Sequence, residues 1–227
     1  TLTLDAHHDI IINQTITGQN LTLIAGNDAQ INAVLSGSGI ITIMPASDAQ
    51  TIGIGNGSAG TLQVSTGELS NIVNGWSQII FGRTTSTSGM EVQAATWNDD
   101  VLLRSDTGII HIAGLQNFGA NNLYVTTNAA LSMTSQLYVS GTLSISSLDP
   151  SVGIGVGTGQ AGGVQLTDSD LSNIMDGWAS LVFGNSSLTG DLNVGAHTWM
   201  DNLALQTGSG TLSINGTQNM GANSLQI

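Results

Sequence analysis

The segment Leu69-Ser70-Asn71-Ile72-Val73-Asn74-Gly75-Trp76 returns as Leu171-Ser172-Asn173-Ile174-Met175-Asp176-Gly177-Trp178, 102 residues later. The same offset carries Ile79-Ile80-Phe81-Gly82 onto Leu181-Val182-Phe183-Gly184 and Thr96-Trp97 onto Thr198-Trp199. It also carries Gln116-Asn117-Phe118-Gly119-Ala120-Asn121 onto Gln218-Asn219-Met220-Gly221-Ala222-Asn223, and Asn20-Leu21-Thr22-Leu23 onto Asn122-Leu123-Tyr124-Val125. A chain that repeats at a fixed period buries its apolar face by stacking each unit on the next, so its fold follows from the unit. Residues 1–227 therefore read as one continuous array: a partial copy 1–19, copies 20–121 and 122–223, and 224–227 opening another. Near Ile52-Gly53-Ile54-Gly55 and Val152-Gly153-Ile154-Gly155 the match shifts to an offset of 100, regained at about Gln160 to Gly163. Pro45 and Pro150 fall shortly before this Gly-rich stretch, which reads as an outward loop tolerant of insertion.

Inside each copy the units are short runs with period-2 alternation, such as Leu21 to Ile24, Ile40 to Ile43, Val101 to Arg104 and Ile109 to Ile112. Alternation puts one side of each run in a core and the other in solvent. Gly, Asn, Asp and Ser separate the runs and accept turn dihedrals. Such strands can close into antiparallel sandwiches of roughly 100 residues or coil into a parallel β-helix. The unit holds more short strands than a sandwich uses, and strand-like sequence runs without a linker through Leu123 to Ser147. The expectation is an all-β, right-handed parallel β-helix. About five coils per copy give some eleven coils, a rod on the order of 50 Å long at ~4.8 Å per coil.

One segment per copy breaks the alternation. Thr66 and Asp168 stand where a helix N-cap would, Glu68 and Asp170 lie in the first turn, and Gly75 and Gly177 suit a helix C-terminus. Each copy is thus expected to carry one short helical insertion. Leu69, Ile72 and Val73, and likewise Leu171, Ile174 and Met175, would face the core at i, i+3, i+4 spacing.

Charge narrows the function classes. Only 7% of residues are charged, and 15 acids face 2 basic residues for a formal net charge of −13. Binding to nucleic acid needs clustered Lys and Arg, and attraction to an anionic membrane surface is disfavoured on the same ground. Without cysteine there is neither a disulfide framework nor a thiolate metal site. No apolar run is long enough to span a bilayer, and no signal peptide is visible. Opening on Thr1-Leu2-Thr3-Leu4 and closing on Ser224-Leu225-Gln226-Ile227, the chain reads as a piece of something longer.

Candidate sites come from the same pattern. His7, His8, His111 and His197 do not recur at the repeat offset, where Ser213 and Ala95 answer the last two. A role in every copy is therefore excluded for them. Asp99, Asp100 and Asp201 are calcium candidates, because Ca²⁺ takes carboxylate oxygens, although neither an EF-hand loop nor a Gly-rich calcium nonapeptide is present. Trp76, Trp97, Trp178 and Trp199 recur between copies; exposed, they would stack on sugars, and buried, they would fill corners beside the helix. Catalysis of glycoside hydrolysis needs two carboxylates at a fixed separation, and no such pair recurs. Thr84, Thr85, Thr87, Thr126 and Thr127 form no ladder at constant spacing, which argues against ice binding. The segment Arg83 to Gly89, set against Asn185 to Gly190, is the variable loop best suited to a specific partner.

Runs such as Leu2-Thr3-Leu4-Asp5-Ala6 through Asp9-Ile10-Ile11-Ile12-Asn13, then Asn20-Leu21-Thr22-Leu23-Ile24-Ala25-Gly26-Asn27-Asp28 and Ile31-Asn32, resemble the repeats of filamentous haemagglutinin-type exoproteins. That resemblance covers nearly the whole chain. It implies a secreted bacterial β-helix at the cell surface or outside the cell, serving adhesion, biofilm matrix or filaments. The residue spacing itself, with nothing titratable recurring in a catalytic arrangement, points to no enzyme and no cofactor. The unpaired backbone of each terminal coil points to further copies of the repeat as partners, with end-to-end association, and the competing expectation is a binding module for a glycan or surface partner.

Overall fold

The computed structural model describes all 227 residues. It is a parallel β-solenoid: every strand pair in every sheet is parallel, and the only helices are α1 (Thr66–Ser70) and α2 (Asp168–Leu171). Ten strands form one long sheet, from Leu2–Ala6 to Leu225–Gln226. Its innermost register stacks Leu2, Leu21, Ile41, Ile79, Val101, Leu123, Leu143, Leu181, Leu203 and Leu225. From Leu21 the steps along this ladder are 20, 38, 22 and 22 residues, and from Leu123 they are again 20, 38, 22 and 22. The backbone thus repeats as the sequence does.

The glycines show the same period. Ten of them have positive φ, and they form five pairs 102 residues apart: Gly55 and Gly157, Gly57 and Gly159, Gly75 and Gly177, Gly82 and Gly184, Gly119 and Gly221. The strands Ile52–Ile54 and Ile154–Val156 pair equivalently with Met90–Val92 and Leu192–Val194. The expected shift to an offset of 100 is therefore not real. Val-Gly-Ile-Gly at 152–155 resembles Ile-Gly-Ile-Gly by composition, but it is Ile154 that takes the place of Ile52.

The 38-residue step is a detour. The chain leaves the long sheet, forms Ile52–Ile54, turns back, and lays Leu62–Val64 parallel beside it with Ile52 opposite Leu62. Its return loop crosses the outer side of Ile52–Ile54, and this is why Gly53 stands between two buried isoleucines. A Cβ on Gly53 would meet Ser58 and Ala59, and one on Gly60 would fall on the backbone of Ile52 and Gly53. On this second face the order is inverted: Leu62–Val64 lies nearer the preceding coil, bridged through Gln63 to Asp28, and Ile52–Ile54 lies beyond it against Met90–Val92. The second copy repeats this with Val164–Leu166 and Ile154–Val156.

Helix α1 follows directly and is shorter than the sequence suggested. Its N-cap is Ser65, not Thr66, and that of α2 is Thr167, not Asp168. Each hydroxyl receives the N3 backbone N–H, and Glu68 and Asp170 return the bond to the cap residue in a capping box. Thr66 instead exchanges two bonds with Asn56, and Asp168 exchanges the same two with Thr158, the amide or acid and the hydroxyl having changed places. Neither helix reaches its glycine. The chain resumes a bridge at once, Ile72 to Leu35 and Ile174 to Leu137, on the third face of the coil. Leu69 and Ile72 are buried and Val73 only partly so, with Leu171, Ile174 and Met175 matching them.

One core of 50 buried residues runs the length of the stack. At about 25 cal/mol per Å² of apolar surface removed from water, this continuous core supplies the main stabilising contribution.

Candidate functional site

The helices replace part of a strand, and side chains take over its hydrogen bonds. Ile31, in the coil below α1, would lack a partner for its N–H and C=O on that side. The Glu68 carboxylate accepts from Ile31 N at 3.3 Å, and the Asn71 amide donates to Ile31 O at 2.6 Å. In the second copy Asp170 accepts from Met133 N at 2.7 Å and Asn173 donates to Met133 O at 2.7 Å. A buried amide left unpaired costs ~1–3 kcal/mol, which explains why an acid and an amide recur at these positions.

A second substitution of this kind lies on the third face. Strands 35–37 and 137–138 are followed by a single bridging residue, Ile72 or Ile174, and no ladder then joins that residue to Ala95–Thr96 or His197–Thr198 above it. The ladder of the third face is interrupted there. Asp99 reaches across and accepts from Gly75 N at 2.9 Å; Asp201 does the same to Gly177 N at 2.9 Å. Both carboxylates are buried, at 4% and 5% exposure. Asp100, by contrast, accepts from the backbone and side chain of Asn122, each at 2.8 Å. Asp99, Asp100 and Asp201 therefore do not converge on one centre, and nowhere do three or more His, Asp or Glu side chains form a metal-binding group.

Burial pushes the Asp99 and Asp201 carboxyls above their ordinary value. The N–H groups of Gly75 and Trp76, or Gly177 and Trp178, oppose the shift in part, while Asp100 and Asp176 add repulsion. A carboxyl that is harder to ionise in the fold than in the unfolded chain adds stability when protonated. That stability is full below the unfolded value and is lost as pH rises through the folded one. Carbon-detected NMR titration should place both midpoints above the usual aspartate range, with Asp149, held down by the Ser151 N–H and hydroxyl, below it. Midpoints for Asp99 and Asp201 at or below the usual range would contradict this account.

Of the four tryptophans, Trp199 borders the gap and Trp97 is its counterpart in the first copy, while Trp76 lies against Gly37 and Trp178 near Phe118. They are 3–4% exposed, so none offers the open ring face that stacking on a sugar requires. Trp97 donates through Nε1 to Gln116 at 2.9 Å and Trp199 to Gln218 at 2.7 Å, and both glutamines donate onward to backbone carbonyls. Sequence reasoning alone misses the two glutamines, although they recur at the repeat offset and are among its few long polar side chains.

What remains of the gap in the second copy is a cleft of about 230 Å³ between Ile174 and Leu171 on one side and His197 to Asp201 on the other. Desolvation lowers the pKa of His197, whose ring sits 4.4 Å from Trp199. Asp168, Thr217 and Asn219 border the groove outside it. The other histidines lie elsewhere: His8 pairs with Asp9 at 3.0 Å and His111 with Thr134 at 3.1 Å. Arg83 to Gly89 proves to be the connection that climbs from the long sheet to the second face. Arg83 binds Asp48 at 2.9 Å and the carbonyls of Pro45 and Ala46, and Thr85 also donates to Asp48. Asn185 takes its place in the second copy and holds Ser187 instead.

Neither helix is long and apolar enough to cross a membrane. No protein-family model, curated protein or solved structure matches the chain.

Proposed function

We propose that the chain is a structural stretch of a large secreted bacterial surface or matrix protein, in which stacked copies form a stiff stalk or filament that holds other parts away from the cell. The observation that supports this reading is the identity of register between copies. The long sheet passes from one copy to the next through the same 20, 38, 22 and 22-residue steps, with no linker. Length is then set by copy number alone. The recurring polar groups support the same reading, since Glu68, Asn71, Asp99 and Gln116 and their counterparts all bind backbone or one another. Inserting additional copies of residues 122–223 tests it. Electron micrographs should show contour length growing by about 20 Å per copy, four strand spacings; extra copies that fold as separate beads would overturn it.

A second reading, a glycan-binding adhesin module, is favoured by one observation. The two copies share their scaffold but differ around the cleft, where His197, Met200 and Thr217 stand in place of Ala95, Asn98 and Leu115, and Met200 is 61% exposed. Binding on a glycan array that His197→Ala abolishes would support it, and an array without hits would count against it.

A further inference from the structure

The three faces of the coil do not carry the same number of strands. Between Leu21 and Leu123 the long sheet advances by four hydrogen-bonded strands, with no gap. Over the same coils the second face advances by five, because the detour adds both Leu62–Val64 and Ile52–Ile54 to the stack: four steps are hydrogen-bonded pairs, and the first, from Ala29–Ile31 to Leu62–Val64, is held by the Asp28–Gln63 bridge and the Glu68 and Asn71 side chains. Across the whole chain the second face holds eleven strands and the long sheet ten, the last of which, Leu225–Gln226, has no counterpart opposite it. The excess is one strand per copy and recurs in the second copy.

Hydrogen-bonded strands stand ~4.8 Å apart, a spacing set by the N–H to O=C bond, so the four ladder steps of the second face already match the four of the long sheet and the fifth step adds to them. The second face of each copy is therefore about 4.8 Å longer than the long sheet. On the third face no strand fills the difference, and the interrupted ladder between Ile72 and Ala95, or Ile174 and His197, is the result. Asp99 and Asp201 span that opening, and in the second copy the cleft is its remnant. One face is short and two are long.

We propose that every 102-residue copy bends the solenoid axis toward the long sheet, so that consecutive copies wind into an arc or superhelix and not a straight rod. An excess of ~4.8 Å acting across sheets packed ~10 Å apart corresponds to a rotation of roughly 25° per copy. The detour is thus a wedge. Shape, in addition to length, is written into the repeat: coils without a detour, such as those starting at Val101 and Leu123, add length, and the coil with one adds curvature. Such curvature would hold in any setting, whether or not the array serves as a stalk.

The absence of cysteine makes the test direct, because spin labels can be placed on a silent background. One pair, Thr3→Cys with Val182→Cys, points outward from the long sheet in two coils. The other, Ile11→Cys with Asn193→Cys, points outward from the second face of the same two coils. Seven strand spacings separate the first pair and nine the second, which predicts backbone separations of about 34 Å and about 43 Å. Double electron-electron resonance distances that are longer by several ångströms on the second face support the wedge. Equal distances would overturn it. Small-angle scattering from chains lengthened by four further copies gives an independent reading: a maximum dimension that falls short of linear growth is expected, and strict linearity would refute the bend.

Discussion

Replacing Phe118 with Ala should lower the unfolding free energy by about 3–5 kcal/mol, the cost of removing a large aromatic ring from a packed core. Phe118 is buried and lies between Trp97, 5.9 Å away and nearly parallel, and Trp178, 6.5 Å away. Trp97 in turn meets Phe81 edge-on at 5.8 Å. This series joins copy 20–121 to copy 122–223, so the cavity would open at the junction. Solenoid stability is approximately a sum of unit terms and nearest-neighbour interfaces. A weakened interface should therefore separate the unfolding of the two copies, and urea denaturation should change from one transition to two. Phe118→Leu keeps most of the volume and should cost less than about 1.5 kcal/mol with a single transition retained. An alanine variant that unfolds in one step with a loss below about 1 kcal/mol would show that the ring series does not couple the copies.

Much of this architecture is legible in the sequence, because a solenoid writes its fold locally. Alternation in Leu21 to Ile24 or Val101 to Arg104 specifies which side faces the core, and the fixed offset specifies which strand is equivalent to which. Sequence reasoning goes astray where side chains stand in for backbone. Asp99 and Asp201 carry the composition of a calcium site, yet they answer an N–H of Gly75 or Gly177 where the ladder of the third face is interrupted, and nothing in their own neighbourhood announces that interruption. Ser65 and Thr66 are both good caps by residue type, and Glu68 three residues after Ser65 is the signal that distinguishes them. The Gly-rich stretch misleads for a related reason. Matching Ile-Gly-Ile-Gly to Val-Gly-Ile-Gly aligns letters, whereas the fold aligns residues that must lack a side chain under the return loop. The eleven layers expected are present on the second face but not on the long sheet, since no count of strand-like runs reveals that one of them turns back.

Gly60→Ala provides the sharpest check on that return loop, because alanine at Gly60 and alanine at Gly18 should act with opposite signs. Gly60 does not have positive φ, so backbone strain is not the issue. Its added methyl would fall on Gly53 N and the carbonyl carbon of Ile52, main-chain atoms of a strand hydrogen-bonded on both sides, and neither can move away. The loop must lift instead, which breaks the bonds from Thr61 N to Thr51 and from Gly55 N to Val64 O. Overpacking of this kind costs ~1–3 kcal/mol or more, and the loss of ladder bonds adds to it. Gly162→Ala should do the same in the second copy, where the methyl meets Gly155 N and Ile154. Gly18, in an exposed strand with nothing within 4 Å of its Cβ position, is the control. Gly18→Ala restricts only the unfolded chain and should stabilise by about 0.4–1 kcal/mol. Thermal melts should therefore fall by several degrees for Gly60→Ala and rise slightly for Gly18→Ala, with limited proteolysis of the first variant cutting between Gly55 and Thr61. If both variants melt alike, the return loop does not lie on the strand as described, and the extra layer that lengthens the second face loses its support.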